Sequence, residues 1–309
     1  MTARSQRNRP TRNVLSVLWL LLILVSSVSV QPAGAEVLYI HQMTGSRLWT
    51  GEESGELRIA YRRNAVLFDL QKAYTGSWIR RIFGEPKKER RSTLFLLDSG
   101  EIREVAWAGD KVFIYPLERV KDVQWLRSLT AAPPEVQEVA ASRYQVRPPR
   151  LSIVEEPGEV LVEGYRCRRV KGSLRLETYD RRKKALSVTE VRQVLWLSRE
   201  VPGMADREAA YGRLSARLGL EAARLGNLSS LLRYWEGPLE PIRRELEKAQ
   251  GYPVKTTVEV DARYVPEGGK GKEVTKRIKE ETIVLKEVAT KVPEDFCVIP
   301  SHFSLVPVR

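Results

Sequence analysis

Histidine and cysteine are scarce in this chain of 309 residues, which has only His41, His302, Cys167 and Cys297. Neither histidine lies near a cysteine, the other histidine or a carboxylate pair, so the usual metal-ligand spacings are missing and no metal or cofactor is expected. No Gly-x-Ser-x-Gly elbow occurs to present a nucleophile. The adjacent carboxylates Glu155-Glu156 and Glu280-Glu281 would face opposite ways on a strand, a poor geometry for shared acid and base work. Gly268-Gly269-Lys270-Gly271 falls between two strand-like patterns rather than ahead of a helix, which makes it a turn and not a phosphate cradle. These absences argue against an enzyme, and both histidines read as ordinary strand or surface residues. Beyond residue 30 no long apolar run appears.

The chain opens with a basic head, Arg4, Arg7, Arg9 and Arg12, followed by an apolar block over residues 14–30 and a small-residue exit, Ala33-Gly34-Ala35. That order is the pattern of a secretory signal peptide. The strongest apolar run, residues 17–25, is shorter than the ~20 residues of a spanning helix. No cysteine near the exit is available for acylation, and the arginines of the head are never adjacent. The expectation is a signal over residues 1–35, cleavage near Ala35-Glu36, and a periplasmic or extracellular product without a membrane anchor. The net charge of +13 suits an anionic partner such as a lipid surface, and export argues against nucleic acid. In an oxidising compartment Cys167 and Cys297 leave two alternatives open. One is a disulfide closing a long loop, worth about 4 kcal/mol in the chain-entropy model. The other is a pair of buried thiols acting as small hydrophobes.

Residues 36–116 alternate apolar and polar side chains with turn signals at Arg63-Asn64, Asp98-Ser99-Gly100 and Gly109-Asp110, which predicts an antiparallel meander. A short helix is expected over 118–129. A second strand-rich region runs from about 151 to 198. Leu214, Leu218, Ala222 and Leu225 then recur at helical spacing, as do Leu228, Leu232 and Trp235. Leu239, Ile242 and Leu246 give a further helix with Pro238 in its first turn and Gly251 as its stop. Strands return over 254–264 and 280–288, and residues 292–308 are extended. Strands on both sides of an inserted helical pair predict one α+β domain over 36–309, with a helical insertion at about 204–250.

The segment at about 73–91 is expected to be a basic loop. Its Trp78 and Phe83 would enter a headgroup layer while Arg80, Arg81, Lys87 and Lys88 meet anionic lipid, each cation worth ~1 kcal/mol there. The alternative is a long strand connection whose aromatics pack on the domain.

Three blocks occur in order: Gly164-Tyr165-Arg166-Cys167, Trp196-Leu197-Ser198, and a closing Phe303-Ser304-Leu305-Val306-Pro307. In that order they resemble an uncharacterised family of exported bacterial proteins related to the lipoprotein carriers LolA and LolB. The resemblance implies an open antiparallel half-barrel wrapped around helices, with a concave apolar face suited to acyl chains. It also implies a non-enzymatic binding protein of the cell envelope whose partner is lipid or a lipoprotein. An envelope protein-protein interaction or sensor module is the alternative, and an exported hydrolase the weaker one. Lacking an acylatable cysteine, the chain departs from a tethered LolB-like receptor. It also carries the large 204–250 insertion. Tyr165, Trp196 and Phe303 read as core aromatics of strands, and Gly164 and Gly203 as turn residues.

Overall fold

The computed structural model describes residues 36–48, 50–76, 87–128, 143–267 and 272–308. Among them, six strands follow one another as a meander: β1 Val37–Arg47, β2 Gly51–Arg62, β3 Ala65–Tyr74, β4 Lys87–Leu96, β5 Glu101–Ala106 and β6 Lys111–Pro116. A 3₁₀ turn, Leu117–Lys121, and helix α1, Val123–Ser128, end this half. The second half has β7 Tyr144–Val146, β8 Arg150–Val162, β9 Tyr165–Asp180 and β10 Ala185–Ser198. Helix α2, Met204–Leu218, opens the insertion and is followed by 3₁₀ and short α turns, including α3 Ser229–Leu232 and α4 Arg243–Glu247. The chain then returns through β11 Tyr252–Pro266 and β12 Val274–Ala289 to β13 Ser304–Pro307.

All thirteen strands share one sheet, in the order β13-β6-β5-β4-β3-β2-β1-β12-β11-β10-β9, with β7 and β8 both on the outer side of β9. Pairing is antiparallel except for β13, which adds in parallel to β6. The sheet does not close on itself, and the fold is mostly β with a few helices. Residues 36–309 form one compact unit. The two halves meet where β1 pairs with β12, so the first strand of the unit depends on one of the last.

The alternation read in the sequence is the cause of a two-sided core. On one face Val37, Tyr39, Tyr61, Val66, Phe95 and Ile102 pack against Ala210, Leu214 and Leu218 of α2. Those helix positions, with Arg207, form one stripe at helical spacing. Gly203, with φ of 76°, sets the chain into α2, where an added Cβ would lie 2.4 Å from Val37 Cγ2. Further along the same face, Leu228, Leu231, Leu232, Leu239 and Ile242 cover β9 to β11. Each fully buried leucine contributes about 1.5–3 kcal/mol, so the insertion is part of the core rather than an appendage to it. It is one helix and several short turns, not the expected helical pair, because Gly219, Gly226, Pro238 and Pro241 interrupt it.

The opposite face of β1–β6 is covered by the C-terminal segment. Val292, Phe296, Cys297 and Phe303 pack there on Leu38, Ala60, Leu67, Leu94, Val105 and Val112. Pro293 and Pro300 keep this segment from forming ladder bonds of its own until β13. Phe303 is therefore core, as the sequence indicated, and Tyr165 and Trp196 are half-buried against the helix-covered core. No helix among the described residues is long and apolar enough to cross a membrane.

The cysteines are not bridged. Both are free and buried, Cys167 in the helix-covered core and Cys297 in the core of the opposite face. The sheet itself separates them, which overturns the disulfide alternative and leaves the small-hydrophobe one. Burial pushes the Cys167 thiol up to about 11 and the Cys297 thiol up to about 12. A thiol reagent such as dithionitrobenzoate is expected to titrate neither cysteine in the folded chain within minutes, and both after unfolding in guanidinium without reductant. Two sulfurs that stay silent after unfolding would reveal a bridge.

Candidate ligand-binding face and its two cavities

Register lines up one polarity gradient across five neighbouring strands. On the helix-covered face β1 passes from Tyr39 to Arg47, β2 in reverse from Tyr61 to Glu53, and β3 from Val66 to Lys72. Next to them β4 passes from Phe95 to Glu89, and β12 from Leu285 to Lys279. Antiparallel pairing thus gathers the apolar ends at one end of the face and the charged ends at the other.

The charged end holds a continuous row of ions. Lys279 Nζ lies 3.1 Å from Glu281, Glu281 3.1 Å from Lys72 Nζ, Lys72 3.6 Å from Glu53, and Glu53 3.1 Å from Arg47 Nε. None of the five side chains is more than 8 % exposed. Burial alone would raise the Glu281 carboxyl, but Lys279 and Lys72 outweigh it and hold the group well below the usual carboxylate range. Burial pushes Lys279 down to about 8, against the pull of Glu281 and helped by Arg233, Arg47 and Lys72.

The row requires the sheet to bend. Lys72 on β3 and Glu281 on β12 are three strand spacings apart, about 14 Å across a flat sheet. Only a lysine and a glutamate laid flat along the sheet would bridge that span, and side chains leave a strand roughly perpendicular to it, so their contact at 3.1 Å is made across a sheet that curls toward this face. The intervening positions are Gly55 on β2 and Gly45 on β1, which carry no side chain to obstruct the contact. A Cβ at Gly55 would lie 2.2 Å from Gln71 O, and one at Gly45 2.3 Å from Glu280 O. Glycine at both places therefore permits the close backbone approach that curls this face inward.

At the apolar end the insertion is bolted to the sheet by polar groups. Arg207 donates through Nη2 to Asn227 Oδ1 at 2.6 Å and through Nη1 to Gly251 O at 3.3 Å. Asn227 Nδ2 donates to Ala249 O at 2.6 Å and to Gly251 O at 2.8 Å, and Gln193 on β10 donates to Asn227 O at 2.8 Å. These bonds tie the start of α2, the middle of the insertion and its exit to one point. Beside them, Tyr39 stacks on Tyr252 at 4.0 Å and donates to Pro202 O at 2.9 Å.

Two spaces result. The insertion's leucines fill the apolar part of the covered face, but the insertion itself contains a cleft of about 760 Å³. Leu220, Ala223, Leu228 and Leu246 supply apolar wall, and Arg207, Arg243 and Glu208 supply charge of both signs. The second space, about 100 Å³, lies at the ion row and is lined by Arg47, Lys72, Lys279 and Glu281, with Met43 and Leu70 on its apolar side. No group of three histidine, cysteine or acidic side chains among the described residues is placed to hold a metal ion.

Of the residues singled out in the sequence for membrane contact, Trp78, Arg80, Arg81 and Phe83 lie outside the described residues. Lys87 and Lys88 are not in a loop. They begin β4, paired with Tyr74 and Ala73, and the Lys88 side chain is exposed. The basic loop at about 73–91 is thus corrected at its ends, where residues 73–74 belong to β3 and residues 87–91 to β4. Its charged run was misleading because both faces of β4 are polar there. Arg90 pairs at 3.0 Å with the buried Asp69 on one face, while Glu89 and Arg91 belong to the charged end of the other. The ion row was missed altogether, and its only trace in the sequence is a glycine in the middle of each of two strand patterns.

His41 is a strand residue, as expected, but it is not an idle one. It is 3 % exposed, with Nδ1 at 3.2 Å from Leu57 O and Nε2 at 2.9 Å from the Tyr252 hydroxyl. The carbonyl can only accept, so Nδ1 carries a proton, and in the neutral ring Nε2 accepts from the Tyr252 hydroxyl. Burial holds its pKa down to about 4, from 6.5, despite the bond to Leu57. Between those values the unfolded chain binds a proton that the folded chain does not. Stability therefore rises with pH across this window and is lost as pH falls from about 6.5 towards 4, by about 3 kcal/mol in full. Urea midpoints at pH 7 and pH 4.5 are expected to differ less in His41→Gln than in the wild type. An equal difference in the two proteins would remove His41 as the cause.

No protein-family model matches the chain, and no curated protein matches it significantly.

Proposed function

We propose that this chain is an exported, non-enzymatic binding protein of the cell envelope that holds a lipid or an acylated protein. The observation that carries the reading is the 760 Å³ cleft of the insertion, walled by aliphatic side chains and flanked by Arg207 and Arg243. Its volume falls within the ~300–1,000 Å³ of small-ligand sites, and its wall sets the aliphatic side chains beside polar ones, Arg207, Glu208, Asn227 and Arg243 among them. An acyl chain would lie against Leu220, Leu228 and Leu246, with the acidic or ester end towards an arginine. Export rests on the basic head, apolar block and Ala33-Gly34-Ala35 exit. A LolA-like half-barrel is the finer fold reading. It is supported by the unclosed sheet, by the inward curl at Gly45 and Gly55, and by helices lying on the inside of that curl.

Burial of one methylene is worth about 0.8 kcal/mol, so affinity for saturated fatty acids should rise about fourfold per added carbon until the cleft is full. Calorimetric titration with the eight-, ten- and twelve-carbon acids measures that slope. Leu220→Asp, at a half-buried wall position, is expected to abolish binding while leaving the circular dichroism spectrum unchanged. Binding that ignores chain length, or that survives Leu220→Asp, would sink the acyl-binding reading.

A further inference from the structure

We propose that the small cavity at the charged end of the covered face is a binding site for one compact oxyanion of the phosphate type. The cavity measures about 100 Å³, room for about three waters at ~30 Å³ each. Its buried wall contributes Arg47, Lys72 and Lys279 against the single carboxylate Glu281. Its rim adds Arg91 and Arg233 against Glu89. Glu53 stands behind Arg47 and Lys72 and pairs with both, so the buried side chains are three cations, Arg47, Lys72 and Lys279, to two carboxylates, Glu53 and Glu281.

The second observation is an unsatisfied donor. Arg47 is 8 % exposed, its Nε is bonded to Glu53 at 3.2 Å, and its Nη1 is buried without any hydrogen-bond partner. A buried guanidinium donor left unpaired is costly, and a surplus of buried cations is costlier. Water in the cavity could accept from Nη1 but would not offset the charge. A tetrahedral oxyanion does both: its oxygens accept from the planar guanidinium fork and from the lysine ammonium groups at once. Tyr74, also in the wall, donates its hydroxyl to Glu89 at 2.8 Å and keeps that rim carboxylate engaged.

The cavity and the acyl-binding cleft share no lining residue, so each site stands or falls by itself. A phosphate group reaches the cavity either as the free anion or as a lipid headgroup.

The test uses the chain as purified from cells, titrated calorimetrically with inorganic phosphate against chloride at matched ionic strength. Co-sedimentation with vesicles of phosphatidic acid in phosphatidylcholine, against phosphatidylcholine alone, forms the second arm. Arg47→Lys keeps the charge beside Glu53 and removes the free fork nitrogen. It is expected to weaken phosphate binding at least tenfold. Arg91→Gln, at the half-buried rim, is expected to weaken it severalfold and is the deciding variant if Arg47→Lys does not fold. Loss of both phosphate and vesicle binding in the variants assigns the site to a headgroup. Loss of phosphate binding alone assigns it to the free anion. Absence of phosphate binding in the wild type, or equal binding in the wild type and both variants, overturns the proposal even where fatty acids still bind.

Discussion

The buried ion row from Lys279 to Arg47 is the constraint on which the rest of the sheet depends. Five charges lie out of water on four adjacent strands, β3, β2, β1 and β12, and each is tolerable only beside its neighbour. Removing one partner of such a pair typically costs about 3–5 kcal/mol, because the other charge is left buried and uncompensated. Register follows directly. A slip of one residue in any of these strands would turn its charged side chain to the other face, out of the row, and leave its partners buried without their counter-charge. The row also crosses the junction of β1 with β12, so the contact that fixes register is the one that joins the two halves of the chain. Gly45 and Gly55 belong to the same constraint, since the row closes only where the backbones can approach.

Curling one face inward decides what must cover it. The apolar end of that face is too extensive to leave in water, and the insertion supplies Leu214, Leu231 and Leu232, all at most 1 % exposed. The opposite face of the meander is covered by residues from Val292 to Phe303 instead. The chain thus places the insertion and the C-terminal segment on opposite sides of one sheet. Cys167 and Cys297 fall on opposite sides for the same reason. The polar bolt of Arg207, Asn227 and Gly251 holds the insertion at its entrance and its exit, which leaves the cleft between α2 and the later turns as the open space.

Local pattern was legible and non-local pairing was not. The turn signals at Asp98-Ser99-Gly100 and Gly109-Asp110 bracket β5, Glu101–Ala106, because a short half-buried strand between two turns has few other solutions. The stripe of Leu214 and Leu218 gave the helix that covers the sheet, and the closing Phe303 was read as core. Residues 87–91 were lost to a loop because a strand with charge on both faces has no period-two hydrophobic signal. Which face a charge occupies depends on Tyr74, Lys72 and Glu53 across the ladder, and no window of sequence contains that information. Lys72 and Glu281 are 209 positions apart in sequence. His41 shows the same limit: its bond to Tyr252 joins strands from opposite ends of the chain, so sequence placed it on a strand without showing that it is buried and neutral.

The ion row raises a question that stability does not answer. Buried ion pairs replaced by apolar side chains of similar volume are often as stable or more so, and the same face already packs Leu57, Leu70 and Met43 one step away. A sequence selected for folding alone had an apolar solution within reach. It keeps five buried charges, more cations than carboxylates around them, and a guanidinium nitrogen with nothing to donate to. Departures of this kind from local consistency concentrate where a protein must meet something else. An incoming oxyanion removes the charge surplus and the unsatisfied donor together, whereas turning Arg47 Nη1 onto Glu53 Oε2, itself buried without a hydrogen-bond partner, would satisfy the donor and leave the surplus of cations in place.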